Sequence, residues 1–581
     1  MIWWIFQNSR LSAEKATLTD LEGAVDWLHV AKWHASKDFR MQVDFEIDHC
    51  GKKFAFNMIY PSIFPDAPPM IYTADRTRIS LHQYGPDGEL CLEHRPDNWR
   101  PSKTGADMVA SCYNLLVEER PDAERTVHAH SAHVRSLGRD LRSSYCRLLI
   151  RDADLEILAK LDQCRPEVLS LYERHAGSAV IASIAYLGEK DAPVWTSDFI
   201  LPKGCTDSSG YVVRIPESGK MGPINIERLT TFLNDKGLCD LVNTLVHAQE
   251  SMHLLVGDQD NWELFWIHGD AEKREIVSYT TINIPSADDR IPSAFSVLPK
   301  KKVGIVGCGS VGSKIAASLC RSGVGQFLLI DDDIFFPDNV VRNELDITDT
   351  GAHKSYALKD RLLEINPVGE IRALRLSLGG QESASTMVGA LEALADCDLL
   401  IDATAESVAF NMLASVSKRR KVPMVWALVF AGGIGGIVAR ARPNIDPVPN
   451  DARGQIDVWC VDRGKDWNCG RDATRYSGER PDGKPMIASD AEVSIIASHA
   501  TRFAVDILAG AEESNFPASA YVIGFSRDWI FEQPFDTWPI NLQCKEQWGE
   551  TLDPLSEEEL SELLKEHLLP IEDADANSSS T

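Results

Sequence analysis

Three patterns of hydrophobic and polar positions follow one another along the chain. Near the start, helical spacing over Leu18–Trp33 precedes two period-two runs, Phe39–Ile47 and Lys53–Tyr60. Alternation of this kind predicts strands with one buried face. The proline-rich segment YPSIFPDAPP interrupts it, and a second helical region follows Lys103. Residues 1–148 therefore read as an α+β unit. Residues 149–298 are less regular. They hold a helical start over Asp154–His175, the strand-like AVIASIAYL, a helix near Leu238–Leu255 and the strand-like WELFWIHG. They read as a linker domain whose fold the pattern leaves open. From Lys300 strands alternate with helices, which predicts a parallel α/β sheet over residues 299–546. The segment 547–581 carries a last helix, LSEEELSELLKEHL, with a Ser556–Glu559 capping box and a Leu555–Leu560 staple. Its tail, EDADANSSST, has the composition of a disordered segment.

Composition narrows the class. The chain has 581 residues, 44% hydrophobic and 25% charged, which suits a multidomain globular protein. Its 59 basic and 86 acidic side chains give a net charge of −27. That disfavours gripping nucleic acid or an anionic membrane with the whole surface, while a local basic pocket for phosphates stays available. The uncharged stretch Val422–Ala439 holds a proline and the run GGIGG. It predicts strand–turn–strand rather than a membrane helix. Thirteen cysteines without any CxxC pair point to reduced thiols and away from a zinc site built on thiolate pairs. The start, MIWWIFQNSR, lacks a basic region and a cleavage pattern, so a cytoplasmic protein is expected.

The sharpest motif is KKVGIVGCGSVGSKIAASL. A buried strand, Val303–Val306, runs into Gly307, Gly309 and Gly312 and then into a helix. Glycines permit a tight turn and close approach of backbone to phosphate, and a helix N-terminus favours the phosphate's charge. Asp331 ends the next strand, FLLI, where a ribose-binding carboxylate belongs. This much fits NAD as well as ATP.

The continuation, IDDDIFFPDNVVRNELDITDTGAHKSYALKDRLLEINP, separates the two. It resembles the ThiF/MoeB and ubiquitin-activating family, with Asp331, Asp333, Asn339, Arg342, Lys354, Asn366 and Pro367 in register. Arg342 and Lys354 supply the positive charge that a triphosphate needs during adenylyl transfer. The resemblance implies ATP and Mg2+ as cofactors, with Asp331 on the ribose and Asp333 and Asn339 supporting the phosphate and metal region. In the family a strand ends in D-x-T-D-N, and its second aspartate binds magnesium. Here the run is Asp402-Ala403-Thr404-Ala405-Glu406, so Glu406 or Asp402 must take that role.

The family also carries the activated acyl group on a cysteine in the loop before its last long helix. That helix is SDAEVSIIASHATRFAVDILAG, with a Ser489–Glu492 capping box and a Gly510 stop. The loop before it holds Cys460 and Cys469. Cys469 is favoured, because it lies near the helix among Arg463, Lys465, Arg471 and Arg475. Cys460 is the alternative, and its apolar lead-in reads as a strand end. Cys308 and Cys320 read as small buried hydrophobes.

The first unit then becomes legible. Tyr60-Pro61, Pro68-Pro69, His82, Gly88, Cys91-Leu92, Trp99 and Pro101 follow the order of a ubiquitin-conjugating enzyme. This resemblance implies that Cys91 carries the acyl group as a thioester, because a thiolate is both a nucleophile and a leaving group. The family's HPN reads His82-Gln83-Tyr84 here, so the oxyanion-stabilising asparagine is missing. His82, His94 or a backbone N–H is the candidate substitute.

Together these readings give an α/β and α+β multidomain enzyme. A ubiquitin-conjugating-like domain comes first, then a linker domain, then a Rossmann-like ThiF adenylation domain. The layout resembles bacterial fusions encoded beside cGAS/DncV-like nucleotidyltransferases in anti-phage (CBASS) operons. That resemblance implies activation of the nucleotidyltransferase's C-terminal carboxylate, relay to Cys91, ligation to acceptor lysines and a homodimer. The rivals are a sulfur-carrier adenylyltransferase of ThiF/MoeB type, a pyridine-nucleotide oxidoreductase sharing only the glycine motif, and a non-catalytic scaffold. His247, Glu250 and His253 fall at steps of three on a predicted helix and read as a solvated face. Trp262 and Trp266 read as packed strand residues.

Overall fold

Alternation in the first hundred residues becomes an antiparallel meander. In this computed structural model, β1 (Leu28–Ala35), β2 (Met41–His49), β3 (Lys52–Ile59) and β4 (Met70–Thr73) pair in sequence order. β5 (Gln83–Tyr84) and β6 (Glu89–Leu90) complete a sheet of order β1-β2-β3-β4-β6-β5. The structure describes residues 2–77, 79–80, 82–84, 88–119, 138, 141, 144–198, 204–216, 225–259, 261–270, 273–284, 292–464, 478–479, 485–486, 488–510, 514–544, 548–549 and 556–567. It divides into two units, Met1–Ser144 and Tyr145–Thr581.

In the first unit Val43, Phe45 and Ile47 of β2 and Phe54, Phe56 and Met58 of β3 point one way. They share a core with Met108, Val109, Cys112 and Leu116 of the helix Gly105–Glu119. The predicted helix over Leu18–Trp33 is corrected. Helix spans Asn8–Ala24, and Val30 and Trp33 sit in β1 opposite Phe45 and Val43. From Leu28 an available edge of β2 outweighs helical spacing, because alternate side chains gain a buried face.

The second unit carries two large sheets. The first contains β7 (Cys146–Arg151), β8 (Glu167–Ala176), β9 (Ala179–Glu189), β10 (Ala192–Thr196) and β11 (Thr206–Arg214). It continues with β12 (Met252–Asp258), β13 (Asn261–His268), β14 (Glu275–Ser278) and β15 (Thr280–Ile284), in the order β14-β13-β12-β11-β8-β9-β7-β15 with β10 on β9. Two sequence expectations change here. Helix covers only Asp152–Leu158 of the stretch Asp154–His175, and Glu167 onward is β8. Helix likewise stops at His247, so Leu254 and Leu255 lie in β12. His253 is therefore a buried strand residue and shares no helix with His247 or Glu250. Trp262 is packed in β13 as expected.

The second sheet holds β16 (Lys302–Val306), β17 (Gln326–Ile330), β18 (Glu370–Leu374), β19 (Leu399–Asp402) and β20 (Met424–Val429), all parallel. β21 (Gly435–Ala441) returns antiparallel to β20, which is the strand–turn–strand predicted for Val422–Ala439. A short hairpin, β22 (Gly478–Glu479) and β23 (Pro485–Met486), stands apart. β24 (Ala520–Gly524) and β25 (Thr537–Pro539) close the order β18-β17-β16-β19-β20-β21-β24-β25. The direction in which successive strands are added reverses between β16 and β19, which are parallel neighbours. The crevice above such a switch point is where open α/β sheets bind ligands. Two hydrophobic clusters cover the sheet's faces. The capping boxes at Ser489–Glu492 and Ser556–Glu559 are both formed, while Leu555 lies outside the described residues. No described helix is long and apolar enough to cross a membrane.

Candidate functional site

β16 ends at Val306, and the chain turns through Gly307 and Gly309 into the helix Ser310–Arg321. Each glycine has a separate reason. Gly307 has φ +89°, and a Cβ there would lie 2.8 Å from the Ala403 carbonyl carbon. A Cβ on Gly312 would collide with the Gly307 carbonyl oxygen. A Cβ on Gly309 would meet nothing within 4 Å, so this is the face of the turn left open beside the helix N-terminus.

Asp331 follows β17 and braces that turn. Its Oδ2 accepts the Cys308 N–H at 2.6 Å, and its Oδ1 accepts the Asp333 N–H at 2.8 Å. Burial raises its carboxyl above the usual range despite these donors. Each oxygen keeps a lone pair for a hydroxyl donor. The loop after Asp333 is stitched to the same turn: Asn343 Nδ2 donates to the Cys308 carbonyl at 3.4 Å, and the Glu344 N–H donates to Ser313 Oγ at 3.2 Å. These two bonds hold the backbone beside Arg342 against the glycine turn. Among the described residues the Arg342 guanidinium has no ion-pair partner. Lys354 opens the helix Lys354–Ile365, and its Nζ lies 2.7 Å from Asp333 Oδ2. Asn339 accepts the Phe336 N–H within the connecting turn. The structure thus gathers Gly307, Gly309, Gly312, Asp331, Asp333 and Lys354 around the ends of β16 and β17.

The two candidate metal carboxylates differ. Asp402 is buried, and its Oδ1 accepts from both the N–H and the hydroxyl of Thr404. Burial raises its carboxyl. Glu406 is exposed at the start of the helix Ser407–Arg420. Between them Ala405 holds φ +57°, a left-handed conformation that a residue with a Cβ rarely adopts. Magnesium takes one or two carboxylates plus water and phosphate oxygens, so the free Glu406 carboxylate fits the ion better than Asp402. A further cation went unnoticed in the sequence. Lys314, two residues past Gly312, pairs with Asp490 at 2.8 Å and ties the glycine helix to the helix Asp490–Leu508.

The first unit contains a second constellation. Cys91 follows β6, and its N–H donates to the His82 carbonyl at 2.7 Å. His82 Nε2 stands 4.0 Å from the buried Glu119 carboxylate. Gln83, in the HPN-like run, fixes the turn: its Oε1 accepts from Ile79 and Ser80 N–H, and its Nε2 donates to the Gly88 carbonyl. The guanidinium of Arg95 donates from Nη1 to Cys91 Sγ at 3.1 Å. Sequence reading passed over Arg95, and a buried arginine four residues from a cysteine carries no spacing signal. Beside it lies a cavity with an apolar floor that includes Pro61, Pro68, Met70 and Leu92, rimmed by His94 and Asp97.

The remaining thiols sort by burial. Cys308 and Cys320 are buried as expected. Burial pushes the thiols of Cys112 and Cys308 well up, Cys320 to about 11 and Cys397 to about 12. None of them suits a nucleophile. Cys460 is corrected: it lies in the helix Pro449–Val461, 1% exposed, within the core around Ile456 and Trp548. The expected strand end is a helix, begun by Pro449 at its first position, where a missing N–H costs nothing. Cys469 lies outside the described residues.

Residues 291–518 match the ThiF family. The chain is 30% identical over 242 residues to the Sinorhizobium fredii protein y4oA, covering 39% of this chain and 40% of that one. It is 23% identical over 444 residues to y4qC of the same organism, covering 68% and 71%. It is also related to the ATP-dependent ubiquitin transferase-like protein Cap2 of Pseudomonas aeruginosa, 30% identical over 135 residues, 22% of this chain and 23% of that protein. The chain therefore spans 40% of the first of these relatives and about a quarter of the third. Among solved structures it is similar to Escherichia coli MccB with ATP, at 17% identity and TM-score 0.33 over 43% of this chain and 66% of MccB.

Proposed function

We propose that this chain activates a protein C-terminal carboxylate with ATP, carries it as a thioester and ligates it to an amine. The carrying observation is the pairing of two chemistries in one chain. One is a ThiF-family glycine turn braced by Asp331 with Lys354 and Arg342 at hand. The other is a cysteine, Cys91, held at a strand end with a guanidinium on its sulfur. Adenylation comes first because a carboxylate is a poor electrophile and an acyl adenylate a good one. The glycine turn and helix N-terminus cradle the phosphates, Asp331 takes the ribose, and Arg342 and Lys354 balance the charge that develops as pyrophosphate leaves. Glu406 would hold Mg2+, which supplies further neutralisation of the triphosphate.

Cys469 then takes the acyl group and passes it to Cys91, which delivers it to an acceptor lysine. The similarity to Cap2, an ATP-dependent ubiquitin transferase-like protein, supports ATP-driven activation followed by transfer. By the resemblance of the three-part layout to the fusions of anti-phage operons, the substrate is a cGAS/DncV-like nucleotidyltransferase, the assembly a homodimer and the compartment the cytoplasm.

The test is to incubate the full chain with ATP, Mg2+ and such a nucleotidyltransferase. Pyrophosphate release and a thiol-sensitive adduct are expected. Absence of pyrophosphate release together with a fluorescence change on adding NADH would replace this reading with a redox one.

A further inference from the structure

We propose that Arg95 is a catalytic residue of the acyl-transfer site, holding the sulfur of Cys91 as it gains and loses charge. The inference rests on the reading of Cys91 as the acyl carrier. It adds a group that neither the glycine motif nor the conjugating-enzyme pattern assigns.

The geometry is specific. Arg95 is 8% exposed, and its Nη1 reaches Cys91 Sγ at 3.1 Å. Its backbone is locked in a turn. The Arg95 N–H donates to Asn98 Oδ1 at 2.8 Å, Asn98 Nδ2 donates to the Glu93 carbonyl at 2.7 Å, and the Trp99 N–H donates to the Arg95 carbonyl at 2.8 Å. Trp99 is itself anchored, its indole N–H donating to the Pro65 carbonyl at 2.7 Å. The Glu93 N–H is held by Ser111 Oγ on the helix Gly105–Glu119. Both flanks of the turn are thus fixed, and the guanidinium needs no reorganisation to meet the sulfur. Asp97 Oδ1 stands 3.6 Å from Nε, and its side chain is half exposed.

The chemistry follows. In discharge, an amine nitrogen attacks the thioester carbonyl carbon. The N–C bond forms, the C–S bond breaks, the electron pair leaves on Sγ, and the ammonium proton passes to water. A cationic donor fixed on the sulfur interacts more strongly with the departing thiolate than with the neutral thioester sulfur, which is the differential that lowers a barrier. Loading is the same step reversed at sulfur. This assigns charge stabilisation to the leaving atom, at a site whose HPN-like run has tyrosine in place of the asparagine.

The test bypasses adenylation. Wild-type full chain is treated with a short glycyl peptide thioester of mercaptoethanesulfonate, and acylation of each cysteine is followed by peptide mass mapping. Discharge is then followed with hydroxylamine. Wild-type Cys91 is expected to acylate and discharge faster than the exposed Cys164 of the second unit. Arg95→Gln is expected to slow both steps at Cys91 at least about tenfold and to leave Cys164 unchanged. Buried Cys112 reports unfolding by becoming labelled. Should the Gln variant unfold, Arg95→Met decides, since it keeps a long apolar stem in the site without the charge. Variant rates equal to wild type at Cys91 would overturn the role of Arg95 and leave the carrier intact. Wild-type Cys91 reacting no faster than Cys164 would overturn the carrier reading itself, and with it the inference.

Discussion

Lys354 Nζ lies 2.7 Å from Asp333 Oδ2, and the Lys354 N–H donates to the Asp333 carbonyl at 2.9 Å. Side chain and backbone together pin the first residue of a helix to the strand end carrying Asp331. The lysine side chain is 12% exposed while its partner is largely exposed, so an entering polyanion can replace Asp333 at the ammonium. Alanine at Lys354 is expected to cut substrate-dependent ATP–pyrophosphate exchange at least about tenfold, equivalent to ~1.4 kcal/mol of barrier. Unchanged exchange would remove Lys354 from the site.

Two glycines of one motif should fail differently. Gly312→Ala forces a Cβ onto the Gly307 carbonyl and should lower the melting temperature by several degrees, the scale of a loss of 1–3 kcal/mol from overpacking. Gly309→Ala meets open space at an ordinary φ of −73°, so stability should hold while the KM for ATP rises. Thermal melts and nucleotide titrations on both variants check this. Equal loss of stability would show that Gly309 is packed rather than open.

The order of the thiol relay is open to a gel experiment. Without Cys91, a reducible adduct should persist on Cys469 and no amide product should form. Without Cys469, adenylate should form and Cys91 should stay empty, because a thioester is passed on only after it is made. Normal loading of Cys91 in Cys469→Ala would rule out the relay and favour direct transfer from the adenylate.

Acid stability should report on β8 and β12. Burial pushes the Glu173 carboxyl up, but hydrogen bonds from His253, Ser208 and Tyr279 outweigh it and hold the group down at about 2. A carboxyl lowered on folding contributes stability that is present above its unfolded value of about 4.3 and is lost as pH falls toward 2. At pH 7 Glu173→Gln should cost on the order of 2 kcal/mol, and the gap from wild type should narrow below pH 4 and close toward pH 2. Denaturant midpoints across that range measure it, and a gap independent of pH would count against the charge as the cause.

The glycine turn, the strand into it and Asp331 were legible in the sequence, because backbone conformation and spacing alone dictate them. The hairpin β20–β21 and both capping boxes were legible for the same reason. Positions where local spacing and a distant partner disagree were misread. Leu28–Trp33 and Leu254–Leu255 carry helical spacing, but each joins a sheet through a strand that the local pattern does not contain. Cys460 looked like a strand end until the helix begun by Pro449 turned it inward.

Polar partnerships between remote segments were beyond the sequence altogether. Arg440, fully buried, meets Asp506 at 2.7 Å across 66 residues, with Phe503 stacked on its guanidinium. Neither charge signals its partner locally, and a buried charge is tolerable only once both have been brought together. Arg95 at Cys91 belongs to the same class. Short-range chemistry therefore determined the open glycine turn at a helix N-terminus and which sulfur is presented at a strand end. Only the folded chain decided which remote charge stands beside each of them, because such pairing depends on tertiary distance rather than on sequence spacing.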